Sequence, residues 1–379
     1  MRVSFILPTL DYSGGNRVVA VHAAGLIERG HRVDVLVARP RRQILRESIG
    51  RILRGGLDAT PASGVNDRRG SHVEDVGLIP IIARRPGPVL ATDVPDADVI
   101  VATWWETAEW VLTMPRAKGA KVYFVQHYEV FDYTPKDRVE ATYRAPLSRI
   151  TISKWLQEML ARDFGDNHVD LVPNGVDAAH FSCTSRGRQR EPTVGFIAST
   201  IPFKGLDTAL AALSRLQAYV PALRVLAFGG ETLTPAAIRG LPLQYIEKPT
   251  QVEIRDLYSS CDVWLAPSLS EGFGLPVLEA MACRTPVVST RTGWAAHGIV
   301  AGINGHLAEP GDDAMLAHHL ASVLSLDNQA WRRMSDAAHR TASALDWPTS
   351  TALFEAALLR LKAVGREAQA DLSHSSCRE

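Results

Sequence analysis

Residues 267–289, PSLSEGFGLPVLEAMACRTPVVS, admit few local structures. The apolar run before them, Val263 to Ala266, reads as a short buried strand. A glycine-containing loop follows, and Pro276 falls in the first turn of a helix, where a missing N–H has no helical partner to lose. That helix stops by Thr285 and Pro286, because a residue before proline is pushed out of the helical region. Val287 to Ser289 reads as the next buried strand. The rhythm of strand, loop, helix and strand is that of a parallel α/β sheet.

The same stretch gathers chemistry at one helix N-terminus. The backbone N–H groups of Phe273, Gly274 and Leu275 lack helical partners and can hold an anion or sugar oxygens. Glu271 in the loop and Glu279 a turn inside the helix can each accept a pair of hydroxyl hydrogen bonds. Gly272 and Gly274 let a ligand approach the backbone closely. A plainer account is available: Glu279 complements the helix dipole and the glycines turn the chain. Spacing alone does not choose between them.

A length of 379 residues suggests two domains, and 46% hydrophobic with 22% charged residues is an ordinary globular balance. Lys plus Arg equals Asp plus Glu at 41 each, so no global charge draws the chain to nucleic acid. Neither a signal peptide nor a run of 18 apolar residues is visible. Four scattered cysteines without a CxxC pair argue against a zinc site or a disulfide framework and fit a reducing cytoplasm.

In chain order, a strand at 3–7, the Gly14–Gly15 turn, a helix at 18–27 and a strand at 31–38 make a βαβ unit. The glycine pair suits either a phosphate cradle or a tight turn. Residues 39–54 are basic and amphipathic, which fits an anionic membrane surface or a packed helix with a solvated arginine face. Residues 58–72 read as a loop. Strands at 99–103 and 121–125 end in Trp104–Trp105 and in Gln126, His127, Tyr128 and Glu129. Strand C-termini line the crevice of a parallel sheet, so His127 is placed to bond a sugar hydroxyl or move a proton, or else is a buried structural histidine. Residues 149–153 and 169–177 close this half, and 182–192, rich in arginine, reads as a linker. Strands at 193–198, 223–230 and 243–246 alternate with helices at 206–216 and 251–260 before the opening stretch. Helices at 314–324 and 328–344 precede a break at Asp346 to Pro348, a last helix at 350–361 and a polar tail. The fold class expected is therefore α/β, as two doubly wound halves.

Taken together, Gly14–Gly15, 172–177, Phe203 to Gly205, 267–289 and Asn304–Gly305 resemble, in order, the retaining nucleotide-sugar glycosyltransferases of GT-B fold, family 4, with their E-x7-E signature. Gln126 to Glu129 with Trp104–Trp105 is similar to a rhamnosyltransferase-type branch. The resemblance implies two Rossmann-like domains facing each other across a cleft: an acceptor-side domain over 1–182, onto which a final helix at 348–365 returns, and a nucleotide-sugar-binding domain over 183–347, with a disordered tail at 366–379. It implies that Glu279 binds the ribose hydroxyls. Glu271 and the N–H groups after Gly272 hold the sugar, while Lys204 and the position of Ser199 face the diphosphate. Gly14 and Gly15 contact the diphosphate from the other domain. His127 touches the transferred sugar or the reacting centre and is catalytic together with Glu271 and Lys204, with Trp104, Gln126, Tyr128 and Glu129 as acceptor or sugar contacts. Base recognition is expected around 228–248.

The activity implied is glycosyl transfer with retained configuration by front-face displacement. The donor is a dTDP-, UDP- or GDP-sugar, the acceptor a glycan or lipid-linked hydroxyl, and no cofactor or metal is involved. The protein is then cytoplasmic, peripheral at the inner face of the membrane through 39–54. Three positions depart from the family pattern: Ser199 where an arginine is common, leaving Arg17 or another group to substitute, His297 in place of a carboxylate and Arg284 in place of a glycine. A nucleotide-sugar epimerase on the same fold and a non-catalytic nucleotide-sugar-binding protein are the alternatives.

Overall fold

The computed structural model describes residues 1–39, 70–234 and 237–375. The chain divides into two compact units, one of Met1–Thr151, Leu160–Asp170 and Thr351–Glu379, the other of Ile152–Met159 and Leu171–Ser350. These limits differ from the expected boundaries at 182/183 and 347/348. Apart from Arg39, the basic segment 39–54 lies outside the described residues, as do residues 58–69 of the expected loop.

In the first unit, β1 (Arg2–Leu7) leads through α1 (Gly14–Glu28) to β2 (Arg32–Arg39). Next come α2 (His72–Asp75), β3 (Ile81–Pro86), β4 (Val99–Ala102), α3 (Trp105–Thr113), β5 (Ala120–Val125), α4 (Lys136–Arg144) and β6 (Ser148–Thr151). The sheet is completed after α5 (Lys154–Phe164) by β7 (Asp170–Leu171), in the order β3-β2-β1-β4-β5-β6-β7. Its central strands are buried on both faces: β4 has no exposed residue and β1 buries Val3, Phe5, Ile6 and Leu7. That two-sided burial is why they read as continuous apolar runs rather than alternating ones.

The second unit repeats the scheme with β8 (Thr193–Ile197), α6 (Leu206–Tyr219), β9 (Arg224–Gly229), β10 (Gln244–Glu247), α7 (Gln251–Ser259), β11 (Val263–Ala266) and α8 (Leu275–Ala282). It continues through β12 (Val287–Thr290), α9 (Ala295–Gly298), β13 (Gly305–Ala308), α10 (Asp313–Leu324) and α11 (Asn328–Ser343). All its pairs are parallel, in the order β10-β9-β8-β11-β12-β13. The core packs Phe196, Leu210, Leu213, Leu265, Val288, Leu320 and Trp331. Trp331 satisfies its one polar atom by donating Nε1–H to Asp262 O at 2.8 Å. Residues 182–192 are not a free linker: Arg186 donates to Cys261 O at 2.6 Å and to Thr285 Oγ1 at 2.8 Å, which fastens the segment onto this unit.

The last helix, α12 (Trp347–Ser375), begins where Asp346 Oδ1 accepts from Thr349 N at 2.6 Å, with Pro348 harmless in the first turn. From Thr351 onward it packs in the first unit. Phe354 stacks on His22 at 4.5 Å, and Glu355 accepts from both Arg29 and His31 at 2.5 Å. Burial keeps His22 neutral, with its pKa lowered to about 3. The helix runs on to Ser375, through residues expected to form a disordered tail.

Candidate active site

Where strand order reverses in a parallel sheet, the loops leaving two neighbouring strands diverge and open a crevice. In the second unit this point lies between β8 and β11, whose register pairs Gly195 with Trp264 and Phe196 with Leu265. The loop after β8 carries Ser199 and Lys204; the loop after β11 carries Ser268, Glu271 and Gly272. Topology therefore brings Lys204 to Glu271 across 67 positions of sequence.

Their approach depends on Gly205, which has φ +72° and whose Cβ, if present, would lie 2.2 Å from Pro267 O. Leu269 N donates to Phe203 O at 2.7 Å and ties the loops together. Lys204 Nζ donates to Glu271 Oε1 at 2.7 Å, and Ser268 Oγ donates to the same oxygen at 2.8 Å. With side chains 34% and 18% exposed, lysine and glutamate remain open to a ligand while holding each other in place.

Behind this pair the backbone is held from its carbonyl side. Gly272 O accepts from Ser153 Oγ at 2.7 Å and from Trp155 Nε1 at 3.0 Å, and Phe273 O accepts from Trp294 N at 2.8 Å. Because a trans peptide points its N–H opposite its C=O, the Phe273 and Gly274 N–H groups face away from those donors. Gly274, at φ +89°, caps α8, and Leu275 and Pro276 form its first turn. Glu279 follows one turn on, 5% exposed, its Oε2 accepting from the buried Tyr258 hydroxyl at 2.9 Å. The arrangement is a strip that pairs anion-seeking groups, a lysine and helix-terminal N–H groups, with two fixed carboxylates at different depths that can accept from hydroxyls. Ser199 adds no charge, and its hydroxyl accepts from Ile201 N at 3.3 Å within the turn. Arg284 occupies a left-handed position (φ +60°) just after α8, where glycine costs least, and is anchored to Cys183 O at 3.2 Å and to Asp336.

In the first unit the reversal lies between β1 and β4. Gly14 and Gly15 are the first residues of α1, capped by Ser13, whose hydroxyl accepts from Asn16 N at 3.4 Å. The space beside Gly14 is open, and the Gln126 amide lies 3.6 Å from where a Gly15 Cβ would stand. His127 is half-buried, and its Nδ1 donates to Tyr128 O at 2.8 Å, since a carbonyl can only accept. Its ring packs 5.1 Å from Phe131, on which Trp104 stacks at 6.2 Å. Gly15 with Gln126, and Trp104 with His127, are thus two small groupings at the strand ends.

One expected contact is corrected. Glu129 is 1% exposed, and its Oε2 accepts from Trp105 N at 2.6 Å and from Tyr123 OH at 2.7 Å; it belongs to the core, and desolvation raises its pKa to about 8. Tyr128 turns its hydroxyl to Glu140 at 3.1 Å. Trp105, expected at a strand end, is the first residue of α3. Ser153, Trp155, Tyr258 and Ser268 were not singled out by sequence. Ser268 lay within the signature stretch, three residues before Glu271; nothing local marks the others.

Two family models match in series: glycosyltransferase family 4 over residues 12–180 and glycosyl transferases group 1 over residues 191–326. Among curated proteins, a glycogen synthase of Mycobacterium tuberculosis is 27% identical over 267 residues, 64% of each chain. A D-inositol 3-phosphate glycosyltransferase of Segniliparus rotundus is 29% identical over 198 residues, 47% of this chain and 44% of that one. The chain thus spans less than two thirds of the length of these relatives. Among solved structures, Anabaena HepE in complex with UDP and glucose superposes with a TM-score of 0.73 at 17% identity, covering 95% of this chain and 100% of that one. The chain has the GT-B fold, and the two models that match it in series are those of glycosyltransferase family 4 and of glycosyl transferases group 1.

Proposed function

We propose that this chain is a retaining glycosyltransferase that moves a sugar from a nucleotide-diphosphate donor to a hydroxyl of a glycan or lipid-linked acceptor. One observation carries the reading: Lys204, Ser268 and Glu271 meet at the β8/β11 reversal, with Glu279 a turn inside the adjoining helix. Glu279 takes the ribose hydroxyls. An arriving diphosphate draws Lys204 from Glu271, which frees that carboxylate for the sugar hydroxyls alongside the Phe273 to Leu275 N–H groups. As the bond from the anomeric carbon to the diphosphate oxygen breaks, the nucleotide leaves with the electron pair and Lys204 stabilises the growing charge. The acceptor oxygen bonds the anomeric carbon from the same face, and its proton passes to a phosphate oxygen.

A thermal-shift panel of UDP-, GDP- and dTDP-sugars, followed by transfer assays and NMR of the product's anomeric centre, tests this. The panel starts with UDP-sugars because structural neighbours hold UDP and UDP-glucose. The rhamnosyl reading keeps Gln126, His127 and Tyr128 with the nearby Trp104–Trp105 in its support, since Glu129 is buried, and dTDP-rhamnose is its test. Inverted product, or unchanged kinetics in both Glu271→Ala and Glu279→Ala, would sink the proposal. Attachment to an anionic membrane surface is proposed through residues 39–54; no helix among the described residues is long and apolar enough to cross a membrane.

Ser199 favours a second reading, a non-catalytic nucleotide-sugar-binding protein, because one diphosphate cation is missing at that position. Donor binding with neither transfer nor hydrolysis supports it. Conversion of the donor alone supports an epimerase instead.

A further inference from the structure

The segment 182–192 is laid on the second unit through Arg186, Arg188 and Gln189. Arg186 turns inward, its guanidinium 4.7 Å over the Trp331 ring. Arg188 N donates to Asn328 Oδ1 at 3.0 Å, its Nη1 donates to Leu326 O at 2.6 Å, and Gln189 N donates to Asp262 Oδ1 at 2.7 Å. Between this strap and the start of α11 lies an open cavity of about 600 Å³, whose lining includes Arg188, Arg190, Asn328 and Arg332.

Its three arginines form no ion pair among the described residues. Elsewhere in the same unit Arg215, Arg239, Arg255, Arg284 and Arg291 each hold a carboxylate. The nearby carboxylates are engaged with backbone. Asp262 accepts from Gln189 N and from Thr193 N at 2.9 Å, and Asp327 caps α11 through Ala330 N at 2.7 Å. Arg188 feels the charge of Asp262, whereas Arg190 and Arg332 are exposed and form no ion pair among the described residues; around a recess of ligand size, such arginines are suited to an anion that several planar forks can grip at once.

We propose that this cavity is an anion site separate from the donor strip, taking a phosphate-bearing small molecule or lipid headgroup through Arg188, Arg190 and Arg332. It shares no residue with Lys204, Glu271 or Glu279, so its failure would leave the glycosyltransferase reading intact.

The test uses the full chain carrying Lys204→Ala, which weakens diphosphate binding at the donor strip. Pyrophosphate is titrated and Tm followed, with and without Arg190→Gln/Arg332→Gln, both exposed positions. The expected result is a rise in Tm with pyrophosphate and an apparent Kd weakened at least about tenfold by the double substitution. A parallel sedimentation arm with vesicles containing phosphatidic acid identifies a lipid source if they bind in an Arg190/Arg332-dependent way and pyrophosphate does not. Absence of binding in both arms, or binding undiminished by the double substitution, overturns the proposal.

Discussion

Substituting Tyr258→Phe removes one oxygen and leaves the ring in its packing against Trp264 at 4.5 Å. That oxygen is the donor to Glu279 Oε2 at 2.9 Å in a buried setting. A hydrogen bond to a charged group contributes about 1.5–3 kcal/mol, and each kcal/mol moves Tm by about 2–4 °C in a domain of this size. The donor-free protein should therefore melt about 3–12 °C lower. Glu279 must then be ordered by the ligand, at about 0.5–1.5 kcal/mol for one side chain, so the donor KM rises about two- to twelvefold. Turnover should stay nearly constant, because the ribose contact is equally strong before and during bond breaking. Differential scanning fluorimetry and initial rates at saturating acceptor read both effects. A lowered Tm with unchanged KM would mean that Tyr258 only braces the fold and that Glu279 does not hold the donor.

Lys204→Ala should lower kcat by about 10²–10³, the usual loss for one group aimed at developing charge, as single-turnover measurements would reveal. Gly205→Ala forces a side chain onto Pro267 O and into a left-handed conformation that costs about 1–2 kcal/mol in itself; a Tm no lower than that of the parent would contradict the loop geometry. Glu129, with a pKa raised by burial from 4.5 to about 8, is penalised once the unfolded chain ionises. Stability should therefore fall, relative to Glu129→Gln, as pH rises between those values, and melting curves across that range should diverge. His22 has the opposite sign: its lowered pKa means stability is lost as pH falls below about 6.5, and His22→Leu should flatten that acid limb.

The stretch that carries Glu271 and Glu279 was legible because its parts are local. A proline and two glycines fix where α8 begins, and the spacing of Glu271 and Glu279 then fixes their depths. Partners drawn from distant elements leave no such mark, and so Tyr258, Ser153 and Trp155 emerged only from the fold. Glu129 was misread for a related reason. A polar residue after a buried strand looks the same whether it faces a crevice or, as here, the first N–H of α3. β3, exposed at all but Ala83, carries two arginines and no apolar alternation, and the polar helix α4 is likewise silent in the sequence.

Gly272 O is held by Ser153 and Trp155, and those two residues lie in Ile152–Met159, which belongs to the second unit although it precedes the rest of that unit in the chain. The second unit is therefore not a contiguous stretch of polypeptide. A chimera joined at 182/183 would carry Lys204, Glu271 and Glu279 from one parent and the residues that brace their loop from the other. Exchange of donor specificity between related proteins should work cleanly only when residues 152–159 travel with 171–350.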